Sequence, residues 1–214
     1  MQQQEVLWRL EDQINPEHTA LLVIDPQNDF CANDGALIRI MGWDPSRIQG
    51  SVPRLNRFIE QARDAKLMIA WTKSIVDPIR SKPSYKARGF MQEAKAKLIE
   101  PVKKATDGTE WYSDVLKPLD NEFVITKYHY DAFADTDLDL LLRGRGIKTL
   151  LLTGYTTNVC VETAARDGYL RGYYIVAVSD CTEAPTQQEY EAAIFNMGTY
   201  FGKAATSDEI AKIW

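Results

Sequence analysis

Reactive sulfur and imidazole are scarce in this sequence. Its 214 residues include three cysteines, Cys31, Cys160 and Cys181, and two histidines, His18 and His129. An odd, sparse cysteine count excludes a disulfide framework. It fits a reducing compartment, in which a cysteine singled out by its position is more often catalytic than structural. Long apolar runs are also missing: no segment approaches the roughly 18 continuous apolar residues of a membrane-spanning helix. The beginning, Met1-Gln2-Gln3-Gln4-Glu5, lacks the basic start and apolar core of a secretory signal, so a cytoplasmic protein without a membrane partner is expected. Nor is positive charge in excess. A formal net charge of −5 disfavours a generic nucleic-acid binder, which is usually basic. Repeats, linkers and low-complexity stretches are absent, and a single domain is expected over residues 1–214. What remains is an ordinary globular composition, 45% apolar and 26% charged, in a chain long enough to bury its core without cross-links.

Short apolar runs alternate with helical periodicity. Residues 20–24, Ala20-Leu21-Leu22-Val23-Ile24, read as a strand buried on both faces that stops at Asp25-Pro26. Further strands are expected at 67–71, 122–126, 149–153 and 174–178. Helical spacing marks 51–66, 136–145, 158–170, 187–197 and 207–213, with Gly146 and Gly172 as stops. Between the second and third strands, residues 73–110 are largely polar and basic, with Pro78, Pro83 and a helix expected at 86–99. A segment this long reads as a lid-like insertion. Strands alternating with helices predict a Rossmann-like three-layer α/β/α fold, its mostly parallel sheet having about six strands.

Ligands of such sheets bind beyond the carboxyl ends of the strands. Three reactive side chains stand there: Asp25 after the first strand, Lys127 after the strand at 122–126, and Cys160 after the strand at 149–153. Singly, each has a duller explanation, as a helix cap, a solvated charge or a small core residue. Together they form a coherent set. A cation or a helix N-terminus lowers a thiol pKa, and a carboxylate within reach takes its proton. An ionised Cys160 at neutral pH is therefore expected.

The blocks that carry these residues resemble the isochorismatase-like cysteine hydrolases, a family that includes N-carbamoylsarcosine amidohydrolase, nicotinamidase and ureidoacrylate amidohydrolase. They are Leu21-Leu22-Val23-Ile24-Asp25-Pro26-Gln27-Asn28-Asp29-Phe30, then Lys127 with Phe133, then Thr153-Gly154-Tyr155-Thr156-Thr157-Asn158-Val159-Cys160-Val161-Glu162. The resemblance implies Cys160 as nucleophile, Asp25 as general base and Lys127 as the group that steadies both. It also implies a non-proline cis peptide at Tyr155-Thr156 and an oxyanion hole built from the Thr156 and Cys160 N–H groups. The implied activity is metal-independent cleavage of a C–N bond in a small ureido, carbamoyl or amide compound through a thioester. The alternatives are a vinyl ether hydrolase of the isochorismatase type and a catalytically silent α/β binding protein.

The metal-binding branch of the family uses an Asp and two His after the second strand. This chain has no histidine there, so no metal and no other cofactor is expected. Local elements are most similar to the ureidoacrylate amidohydrolase branch, including Met41-Gly42-Trp43-Asp44-Pro45-Ser46 and Gly108-Thr109-Glu110-Trp111. Substrate contacts are expected from Asn28, Phe30, Trp111 and Tyr155, with His129 a further pocket candidate. The basic lid, with Lys73, Arg80, Lys82, Lys86 and Arg88, would favour an anionic small molecule by its field. Family resemblance also implies a homodimer or homotetramer.

Overall fold

The computed structural model describes residues 6–77, 79–87, 89, 91–113 and 116–214. The N-terminal residues 1–5 read above for a signal, and Pro78 and Arg88 of the lid, lie outside the described residues. Six parallel strands form one sheet in the order β3-β2-β1-β4-β5-β6. They are β1 (Thr19–Ile24), β2 (Met68–Ser74), β3 (Phe123–Lys127), β4 (Thr149–Tyr155), β5 (Tyr174–Glu183) and β6 (Lys203–Ala205). The apolar run of β1 is buried at every position because it has a strand on each side and a helix layer on each face.

Pleat alternation divides the core into two. Leu21, Val23, Leu151, Tyr155 and Val178 face one layer, made by α1 (Ser46–Asp64) with Leu55, Phe58 and Ile59. Ala20, Leu22, Ile24, Leu150 and Leu152 face the opposite layer. That layer holds α3 (Leu138–Gly144), α4 (Glu162–Leu170) and α5 (Gln187–Asn196). The remaining named helices are α2 (Glu93–Ala105), in the lid-like segment, and α6 (Ser207–Ala211), closed by a reciprocal Thr206–Glu209 capping box.

Several boundaries differ from the sequence expectation. Helix α1 begins at Ser46, a turn and a half before residue 51, because Gly50 and Pro53 mask its first turns while Asp44 holds the Ser46 N–H and hydroxyl. The helix expected at 86–99 is two pieces, Pro83–Lys86 and α2. The helix expected from 158 opens with a wide π-type turn, Thr157–Val161, that carries Cys160. No helix among the described residues is long and apolar enough to cross a membrane.

Candidate active site

The order of strand addition reverses between the parallel β1 and β4: the sheet grows from β1 through β2 to β3 on one side and from β4 through β5 to β6 on the other. The carboxyl ends of this central pair form the natural crevice of an open parallel sheet. Asp25 stands just past β1 in a left-handed turn, φ 49°. Cys160 lies in the turn after β4. At Gly154, φ is +96° and the register of β4 against β5 slips. Any Cβ here would overlap the Ile24 backbone, so only glycine lets the two strand ends approach. The peptide bond between Tyr155 and Thr156 is cis, at the position implied by the resemblance.

Lys127 is the last residue of β3, two strands from Asp25, and its long side chain crosses the intervening distance. Its Nζ lies 2.8 Å from Asp25 Oδ2, with both side chains fully buried. The ammonium also donates to the His129 and Tyr130 carbonyls, each at 3.0 Å. Asp25 Oδ1 accepts from the Thr72 hydroxyl of β2 at 2.6 Å. Each carboxylate oxygen is thus assigned one partner, and the orientation of Asp25 is fixed from two neighbouring strands. Cys160 is only 3% exposed and interacts directly with both charges.

Burial decides the state of the thiol. Desolvation, then the Asp25 charge, outweighs the attraction of Lys127 and pushes Cys160 up to about 12. Burial thus works against the ionised thiol expected from the sequence and favours an S–H beside the ion pair. Burial also raises Cys31 and Cys181. Desolvation opposes the Lys127 ammonium, but Asp25 and Cys160 overcome it and its pKa is raised. The sign follows directly. An acid whose pKa is raised stays protonated as pH climbs past the ~8.5 of a free thiol. The thiolate absorbance near 240 nm, taken as wild type minus Cys160→Ser, is therefore expected to stay flat from pH 6 to 10. A step near pH 7 would restore the ionised thiol.

Cys160 and Thr156 line a cavity of about 110 Å³, with Phe30, Tyr85, Tyr130 and Asn158 among its other walls. Of the four expected substrate contacts, Phe30 alone is there. The Asn28 amide instead donates to the Asp107 carbonyl at 3.2 Å, tying the first loop to the lid segment. Trp111 packs edge-on against Trp71, ring centres 5.7 Å apart. Tyr155 points to the α1 side of the sheet, where its hydroxyl meets Ser51 Oγ at 2.7 Å. His129 Nε2 lies 3.0 Å from Asp135, and its ring is not a wall of the cavity.

Lining residues that sequence reading missed include Trp43, Glu189, and the Asp29–Lys103 ion pair, 2.5 Å long. Trp43 and Asp29 stood inside the quoted motifs; Lys103 carried no local signal. The lid cations Lys73, Arg80 and Lys82 pair with Glu110, Asp77 and Asp135 and do not line the cavity. Among the described residues, no group of three or more His, Cys, Asp or Glu is placed to hold a metal ion.

Residues 19–209 match the Isochorismatase domain family. A curated relative, the ureidoacrylate amidohydrolase RutB of Enterobacter sp. (strain 638), is 32% identical over 200 residues, covering 89% of this chain and 86% of the relative. A cysteine hydrolase from Pseudomonas syringae pv. phaseolicola 1448A superimposes with a TM-score of 0.74 at 27% identity, covering 100% of this chain and 98% of that one. The N-carbamoylsarcosine amidase of Thermoplasma acidophilum superimposes with a TM-score of 0.68 at 26% identity, covering 89% and 97%.

Proposed function

Because this chain belongs to the isochorismatase family, we propose that it is a cysteine amidohydrolase cleaving the C–N bond of a small ureido, carbamoyl or amide compound. The observation that carries the reading is the buried Asp25–Lys127 ion pair beside the Cys160 thiol on a cavity wall.

A neutral thiol needs a base at the moment of attack. In the proposed sequence Asp25 takes the proton as Cys160 Sγ bonds to the substrate carbonyl carbon. The oxyanion forms beside the Thr156 and Cys160 N–H groups, which act as fixed donors. Asp25 then returns its proton to the departing nitrogen, the C–N bond breaks, and ammonia or an amine leaves a thioester. Water attacks the thioester and gives a proton to Asp25, and the Cys160 thiolate leaves and takes that proton from Asp25. Lys127 holds Asp25 in position beside the sulfur throughout. No step uses a metal, and His129 is occupied with Asp135.

An anionic substrate retains one point of support, the cavity-lining Lys103, whose charge Asp29 already balances. A homodimer or homotetramer is supported by exposed apolar side chains, among them Trp8, Leu140 and Leu170, each at least 75% exposed. Three free, buried cysteines support a cytoplasmic setting.

An ammonia-release screen over ureido acids, carbamoylated amino acids, maleamate and aryl amides tests the reading. Ammonia from at least one of them is expected. Pyruvate from isochorismate with no ammonia from any amide would replace it with ether hydrolysis.

A further inference from the structure

A second chamber of about 210 Å³ adjoins the cavity that holds Cys160. The two share three walls, Val76, Tyr85 and Ile99. Beyond these the chamber is lined by Met91 and Ala96, with Lys86 and Glu100 at its exposed rim. Ile99, Ala96 and Glu100 all belong to α2, so one helix of the lid-like segment forms a wall of both spaces. Met91 and Ile99, both lining the chamber, are buried. The first cavity is the smaller, and its charged walls, Asp29 with Lys103, and Glu189, lie outside the shared set.

We infer that the second chamber is a substrate subsite, and that the preferred substrate carries a flexible apolar substituent on the acyl side of the bond cleaved. This rests on the amidohydrolase reading above. With the carbonyl carbon at Cys160, a chain leaving the first cavity passes between Ile99 and Tyr85 and enters a space walled by Val76, Met91 and Ala96. Those walls offer a chain dispersion contacts and loss of water, with polar groups among the described lining residues at the Tyr85 junction and at the rim. A short polar acyl group leaves the chamber unfilled. Selectivity for chain length therefore resides in α2 and Met91, away from the reacting atoms.

Ammonia release from straight-chain primary carboxamides, propionamide to octanamide, reads the chamber directly. For the full-length protein, kcat/KM is expected to rise roughly fourfold per added methylene until the space is full, then level off. Ala96→Trp occupies the chamber and is expected to flatten that rise. Ala96→Leu should move the plateau to shorter chains, and it serves if the tryptophan variant does not fold. Calorimetric binding of the same amides to Cys160→Ala reports the chamber without turnover. Rising affinity with no ammonia from wild type on these amides or on any compound of the earlier screen would overturn the amidohydrolase reading and keep the subsite. A level series in both turnover and binding, or a rise unchanged in both Ala96 variants, would overturn the subsite.

Discussion

Cys160→Ala is expected to reduce ammonia release by roughly 10⁵-fold or more, the scale seen when a covalent nucleophile is removed from a triad-type site. Cys160 is buried in the layer with Val161, Ala164 and Ala165, and alanine fits there with only the sulfur missing. The fold should therefore survive with a cost on the order of 1 kcal/mol. Asp25 and Lys127 keep their pairing in the variant, but no atom remains to form the thioester. Steady-state ammonia assays with thermal denaturation would separate the two effects. Intact-mass measurement of wild type with a slow substrate should show an acyl adduct that Cys160→Ala lacks. A variant retaining a tenth of wild-type activity would remove Cys160 from the mechanism.

Lys127→Met is expected to damage stability and activity together. Asp25 has no exposure, so deleting the ammonium leaves a buried carboxylate without a countercharge, held by the Thr72 hydroxyl and beside Cys160. Breaking one side of a buried pair costs about 3–5 kcal/mol. That is a large share of the roughly 5–15 kcal/mol by which domains are stable. Activity should fall by roughly 10²–10⁴-fold, the contribution of a positioned base, because Asp25 would lose the ammonium that aims it. The double variant Asp25→Leu with Lys127→Met separates the roles. Replacing both charges with apolar groups is often neutral for stability. Urea unfolding should thus show much of the lost stability restored while turnover stays absent. Recovery of both would mean the pair is structural only; full activity in Lys127→Met alone would contradict its assigned role.

The two variants depend on features that were unequally legible in the sequence. The triad was legible because each member sits at the end of a short apolar run, and in a parallel sheet all such ends lie on one edge. Asp25, Lys127 and Cys160 follow three separate runs, so placing them together required only the fold class. The substrate walls were less legible. Tyr155 was expected in the pocket because it is near Cys160 in sequence, yet pleat alternation puts it with Leu151 on the α1 side. The alternation was already in the sequence, and proximity to the cysteine obscured it. Lys103 offered no such clue. Its contact with Asp29 spans 74 positions and exists because α2 folds back over the first loop.

By itself, then, the sequence determined the parallel sheet and the strand ends that carry Asp25, Lys127 and Cys160 to one edge, since these follow from local periodicity and from residues adjoining it. The tertiary structure alone decided that burial raises the Cys160 thiol, that Tyr155, Trp111 and Asn28 are not among the described cavity walls, and that a second chamber lies beneath α2. The reason is physical. Charge state and cavity shape depend on how much water is excluded and on which distant groups pack overhead, and neither quantity has a local signature along the chain.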